Sequence, residues 1–322
     1  MTVGSVAGIW QEGMTVMKKL ISAALISLFV VFAISANAGP YEDGYAAIER
    51  KDYVTAAKLM RVAAYQGDAR AQHNLGVLYD NGQGVTQDYK EAVKWFRLSA
   101  DQGYALAQYA LGAKYASAKG VTQDFKEAVK WLRLSAVQGN ALAQYLLAIG
   151  YANGEGVTQD YKEAVRLYRL SADQGNADAQ FCLGFMYEVG QGVTQDYKEA
   201  VKWYRLSADQ GNAKAQSNLG DMYEYGKGVT QDYKEAVKWY RLSADQGDAH
   251  AQSNLGAMYA NGKAVTQDYV RAHMWLNISA SSGDKNAESN RDIVAKKMSQ
   301  TQIEKAQEMA RRCQSSKFKN CD

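Results

Sequence analysis

The sequence predicts an all-α solenoid of about seven 36-residue helix-turn-helix repeats with helical caps, and three observations carry that prediction. The Asp that opens each "DY" or "DF" dipeptide recurs at Asp52, Asp88, Asp124, Asp160, Asp196, Asp232 and Asp268, always 36 residues on. Within each period, apolar residues follow helical spacing in two separate stretches. Glycines punctuate those stretches, and the 322 residues include a single proline, Pro40, so helices can run without interruption.

In chain order, the first element is a targeting segment. Lys18 and Lys19 precede an apolar run from Leu20 to Ile34, and Ala36-Asn37-Ala38 places small residues where a signal peptidase reads. The run holds about 15 residues, short of the roughly 20 needed to cross a bilayer as a helix. Residues 17–38 are therefore expected to be a signal peptide cut after Ala38. Met17 is then the start, and residues 1–16 are an upstream extension. The cleaved chain is expected to be exported, to the periplasm or beyond, with no stable membrane span.

Residues 39–51 read as an N-terminal capping helix, and 52–284 as the repeats. In the first helix of a repeat, Asp88 is a good N-cap and Glu91 lies three positions on, the spacing of a capping box. The pair recurs as Asp124/Glu127, Asp160/Glu163, Asp196/Glu199 and Asp232/Glu235. Tyr89, Ala92, Val93, Phe96 and Ala100 share one face, Trp95 and Leu98 form a second apolar strip, and Gly103 suits the left-handed stop. The second helix opens at Asn140 or its equivalents, with Tyr104 replacing the cap once. Gly76, Gly112, Gly184, Gly220 and Gly256 stand where a missing side chain lets a partner helix approach, and Ala148 departs from that rule. Gly154 and Gly156 turn the chain into the next repeat. Helices with two apolar strips bury both only by stacking on neighbours, which is the logic of a repeat array. Residues 285–322 change to polar capping helices and a tail, with Ser299 and Gln302 opening a last helix through about Cys313.

The recurring "DYKEAVKWYRLSADQGNA" followed by a glycine-punctuated second helix resembles the Sel-1-like repeat family, relatives of tetratricopeptide repeats, over about residues 41–314. Many members carry Pro in the connecting loop where this chain has Thr86, Thr122, Thr158, Thr194, Thr230 and Thr266. The resemblance implies a right-handed superhelix that scaffolds protein complexes, often in bacterial envelope or virulence settings.

The chemistry in the chain is sparse. Lys and Arg number 37 against 34 Asp and Glu, a net +3 that argues against a nucleic-acid partner. His73, His250 and His273 occupy separate repeats without metal-type spacing, and Gly226-Lys227-Gly228 lacks the following Ser or Thr of a phosphate loop, so no metal or cofactor is expected. Ser282-Gly283-Asp284-Lys285 matches the S-x-x-K of β-lactamases and penicillin-binding proteins, a chemistry described for cysteine-rich relatives. It falls in an interhelix turn, has a second match at Ser316 to Lys319, and lacks K-T-G and S-D-N partners; no enzyme is expected, and hydrolysis stays as an alternative. Cys313 and Cys321 are close enough in sequence to close a small disulfide loop, whereas Cys182 reads as a buried small hydrophobe.

Function is expected where the repeats differ. The second, fifth and ninth residues of the second helix share a face. They become apolar in the middle repeats, at Leu106 and Tyr109, at Leu142 and Tyr145, and at Phe181 and Phe185. That face is either an open partner-binding patch or packing between repeats. Arg97, Arg133 and Arg169 belong to a basic ladder that would steer acidic partners or simply form local ion pairs. Trp95, Trp131, Trp203, Trp239 and Trp275, interrupted by Leu167, read as core, with sugar stacking as the alternative. The function that follows is an exported scaffold that binds another protein by holding a peptide or helix; a peptidoglycan-binding envelope module is the further alternative.

Overall fold

The computed structural model describes residues 39–319 and residue 321, so the expected extension at 1–16 and signal peptide at 17–38 lie outside the described residues. Those residues form sixteen helices and no strand. The chain divides into two compact units, one ending at Gln123 and the other starting at Asp124. The first unit contains α1 (Pro40–Glu49), α2 (Tyr53–Tyr65), α3 (Ala69–Asn81), α4 (Tyr89–Asp101) and α5 (Ala105–Ser117). The second contains α6 (Phe125–Val137), α7 (Ala141–Asn153), α8 (Tyr161–Asp173), α9 (Ala177–Val189), α10 (Tyr197–Asp209), α11 (Ala213–Tyr225), α12 (Tyr233–Ala244), α13 (Ala249–Asn261), α14 (Tyr269–Ser281), α15 (Lys285–Ala295) and α16 (Gln300–Ser315).

Each first helix starts at an Asp cap, which in the five middle repeats accepts two free amides: Asp196 Oδ1 takes Lys198 N at 2.9 Å and Glu199 N at 3.1 Å, while Asp52 and Asp268 accept one each. The reciprocal half of the expected capping box is absent. Glu91, Glu127, Glu163, Glu199 and Glu235 turn instead to the Lys or Arg three residues on, as in the 2.7 Å pair of Glu91 with Lys94. A carboxylate near a helix N-terminus already gains from the dipole, and a cation one turn on competes for it. The reciprocal box forms at Ser299 and Gln302, where the N3 residue is uncharged. Every first helix before α14 stops in a Schellman turn: Gly211 N donates to Ala208 O (2.9 Å) and Asn212 N to Ser207 O (3.2 Å).

Helices close on one another through the glycines of the second helix. A β-carbon added at Gly184 would stand 2.7 Å from the ring of Tyr204, so α9 and α10 meet at a distance only glycine permits. Successive repeats are then joined by buried polar side chains. Ser207 Oγ donates to Ala177 O (2.7 Å) and Gln246 Nε2 to Gln216 Oε1 (2.8 Å), while Gln216 Nε2 donates to Ala208 O (3.0 Å) inside its own hairpin. The Ser contact recurs at Ser99, Ser171, Ser243 and Ser279, each reaching a carbonyl 30 residues back. These serines are fully buried, so each must have its partner, and the partner lies in the preceding hairpin.

The tryptophan register is core. Trp95, Trp131, Leu167, Trp203, Trp239 and Trp275 are all buried, which removes the surface a sugar would stack on. At the far end, α15 and α16 fold over α14, Phe318 reaches Gly247, and Cys313 is joined to Cys321 with Cα atoms 4.8 Å apart.

Candidate partner-binding surface

Within each unit the first helices leave a regular apolar strip uncovered. Three residues after each buried Trp or Leu comes a leucine on the outer flank: Leu134, Leu170, Leu206 and Leu242 are 40–43% exposed. In the first unit Val62 and Leu98 occupy the same register and are likewise exposed. At the last equivalent the pattern breaks, because Ile278 is 1% exposed. It shares a core cluster with Met309, Ala310 and Cys313, so the amphipathic α16 lies on the strip there.

Beside this strip stand the arginines expected to steer partners. Arg97, Arg133 and Arg169 donate to the phenol oxygens of Tyr115, Tyr151 and Tyr187, and Arg205 and Arg241 do the same to Tyr223 and Tyr259. A phenol neutralises no charge, so Arg133, Arg169 and Arg205 are held in place with their charge intact. The neighbouring lysines are matched by glutamates, as the blander reading of the ladder expects.

The face expected on the second helices divides in two. Leu106, Leu142 and Phe185 are exposed, whereas Tyr109, Tyr145 and Phe181 are half-buried. The Tyr145 ring packs 6.1 Å from that of Tyr168, and Phe181 lies 5.9 Å from Tyr204. Burial pushes the Tyr145 phenol up to about 12 and the Cys182 thiol up to about 11. Cys182, Phe181 and Phe185 border a cavity of ≈ 250 Å³. The fifth positions therefore help hold the hairpins together.

In the later repeats the same face of the second helices carries a polar cluster, with Asp221 at the ninth position and His250 at the second. Tyr240 Oη is 2.6 Å from Asp221 Oδ1 and 2.9 Å from Glu224 Oε2; His250 Nε2 is 3.0 Å from Asp221 Oδ2, Asn254 Nδ2 is 3.1 Å from Oδ1, and Lys263 sits beside Glu224. The hydrogen bond to Asp221 raises the pKa of His250, with the Asp248 and Asp284 charges adding to it. Because the folded value is raised, the contribution to stability is fully present below the unfolded histidine pKa of about 6.5 and is lost as pH rises through the folded one. The thermal midpoint of the wild type should thus exceed that of His250→Gln at pH 6 by about 1–2 °C, since the pair is half-exposed, and the gap should close by about pH 9. A gap independent of pH would contradict this.

Ser282 is exposed on the turn after α14 and Lys285 is exposed at the start of α15. No group of three or more His, Cys, Asp or Glu side chains that could hold a metal occurs among the described residues, and no helix there is long and apolar enough to cross a membrane.

Comparison with known proteins agrees with this architecture. The Sel1 repeat model matches seven consecutive segments, residues 36–68, 69–104, 105–140, 141–176, 177–212, 213–248 and 249–284. The crystal structure of a Sel1 repeat protein from Oxalobacter formigenes is 32% identical and superposes with a TM-score of 0.69, covering 76% of this chain and 97% of that one. A protective antigen of uropathogenic Escherichia coli with an SLR fold, c5321, is 28% identical over 87% of this chain and 85% of its own, with a TM-score of 0.37. No curated protein matches the chain. Sel1 repeat proteins are typically scaffolds that bind other proteins. With seven repeats matched and an all-α repeat solenoid as its fold, this chain belongs to the Sel1 repeat family.

Proposed function

We propose that the protein is an exported interaction scaffold that holds an amphipathic helix of a partner protein along the leucine strip of its first helices. The observation that carries this is internal. Where an amphipathic helix of the same chain lies on the strip, it buries Ile278; where none does, Leu134, Leu170, Leu206 and Leu242 remain open. A regular row of apolar anchors flanked by fixed cations suits a helix with an apolar stripe and acidic neighbours. Export is supported by the signal-like residues 17–38 and by a disulfide, a bond that persists in oxidising compartments such as the periplasm.

A photoreactive side chain at position 206, expressed in cells, tests this. A discrete crosslinked adduct in the periplasmic fraction is expected. Adding Leu170→Asp and Leu242→Asp should abolish it while changing stability by less than about 1 kcal/mol, because both positions are surface. No adduct, or an adduct indifferent to the two aspartates, would remove the support for this reading.

A further inference from the structure

The repeats differ most consequentially at one place in the tryptophan register. Leu167 stands where Trp95, Trp131, Trp203, Trp239 and Trp275 stand elsewhere. Beside it opens a cavity of ≈ 500 Å³ whose walls include Arg133, Val137, Leu147, Arg166, Leu167 and Leu170. Three of these are themselves departures from the repeat. Leu167 replaces Trp, Arg166 replaces the Lys of positions 130, 202 and 238, and Val137 replaces the Asp of positions 173, 209 and 245.

The next repeat shows what this space is shaped to hold. There the Arg169 guanidinium lies 5.6 Å from the ring of Trp203, and Lys202 lies 5.3 Å from the same ring. One repeat earlier, Arg133 has Leu167 in place of that ring, and Arg166 pairs with Glu163 at 2.6 and 2.8 Å, as Lys202 pairs with Glu199 at 3.6 Å. Arg133 bonds only a phenol, at 2.9 Å, and makes no ion pair among the described residues. The repeat thus keeps the cation that faces an indole and lacks the indole.

We propose that this cavity is an anchor pocket for an aromatic side chain, of the size and shape of tryptophan, presented by the partner protein. The ring would enter over Leu147 and Leu167, restore the cation–π contact at Arg133, and be flanked by Val137 and the exposed Leu170 of the leucine strip. An apolar floor under a charged rim selects a large ring over an aliphatic side chain. This rests on the scaffold reading and deepens it, since it names the residue by which the partner is gripped.

Indole itself is the probe, added to the purified full chain and followed by methyl NMR. Saturable binding at one site is expected in the millimolar range of so small a ligand, with shifts confined to Val137, Leu147, Leu167 and Leu170. Leu167→Trp supplies the missing ring from within. It should weaken indole binding at least tenfold while the thermal midpoint stays the same or rises. Arg133→Ala should weaken binding about threefold to tenfold. Unsaturable shifts, shifts spread over the surface, or undiminished binding to Leu167→Trp would each overturn the proposal. Should Leu167→Trp fail to fold, the wild-type methyl map and Arg133→Ala still decide it. Because the probe needs no partner, indole binding without a periplasmic adduct would sink the scaffold reading, and an adduct without indole binding would sink the anchor.

Discussion

Tyr240→Ala is expected to lower the unfolding free energy by about 4 kcal/mol, the middle of the range for deleting a buried aromatic side chain. Tyr240 is fully buried, and its ring fits against Gly220, where an added β-carbon would stand 2.6 Å from the ring carbons. α11 and α12 are thus spaced by the ring itself, and removing it leaves a hole that the joined hairpins cannot easily collapse. The hydroxyl adds a second loss, since it sits between the carboxylates of Asp221 and Glu224. The two losses separate in Tyr240→Phe, expected at about 1 kcal/mol, the net value of one hydrogen bond. Phe96 and Leu132 occupy this register in other repeats, so the hairpin does not require the hydroxyl. Urea unfolding followed by tryptophan emission measures both. A loss below about 1 kcal/mol for the alanine variant would mean that the hairpins relax around the missing ring.

Much of the fold is legible in the sequence because its determinants are local. Asp196 caps within its own turn, Gly211 stops its own helix, and the 36-residue period announces that the same hairpin is built again. The surface is harder to read. Trp203 and Leu206 lie three residues apart and read as one apolar strip, yet the first is buried and the second open, because periodicity tells which residues share a face and not where the neighbouring hairpin's cover ends. The rule that variable positions bind and repeated ones build also misleads here. Leu206 is repeated and exposed, while Tyr145 and Phe181 vary and pack. Repetition hides the bonding role of Ser207 and Gln216 for a similar reason, since their partners lie in other helices that only packing brings near. Leu167 is visible in the sequence as an interruption, but whether a smaller side chain lets the stack close or leaves a cavity depends on Arg133, Val137 and Leu147, contributed by the preceding hairpin.

A chain ending at Met298 is expected to lose on the order of 5 kcal/mol from its C-terminal end, and to do so locally. Without α16, Ile278 would pass from 1% exposed to the level of Leu242, and Met309, Ala310 and Phe318 would no longer cover α14 and Gly247. At about 1.5–3 kcal/mol for each large apolar side chain, Ile278 and Phe318 supply most of that figure. Repeat arrays couple chiefly to nearest neighbours, so amide exchange should quicken in α13 and α14 while α8 to α10 keep their protection. Reducing the Cys313–Cys321 disulfide in the intact chain should have a smaller effect, about 2–3 kcal/mol for so short a loop, by loosening Phe318 without removing the helix. Uniform loss of protection across the second unit would show instead that the array melts as one body. The truncation also bears on binding, because it opens one more rung of the leucine strip. A synthetic peptide of residues 300–315 should then bind the truncated chain and restore protection to α14, while the intact chain, whose own helix fills that rung, should bind it more weakly. Equal binding to both would mean that Ile278 is covered for stability alone and that the strip does not select amphipathic helices.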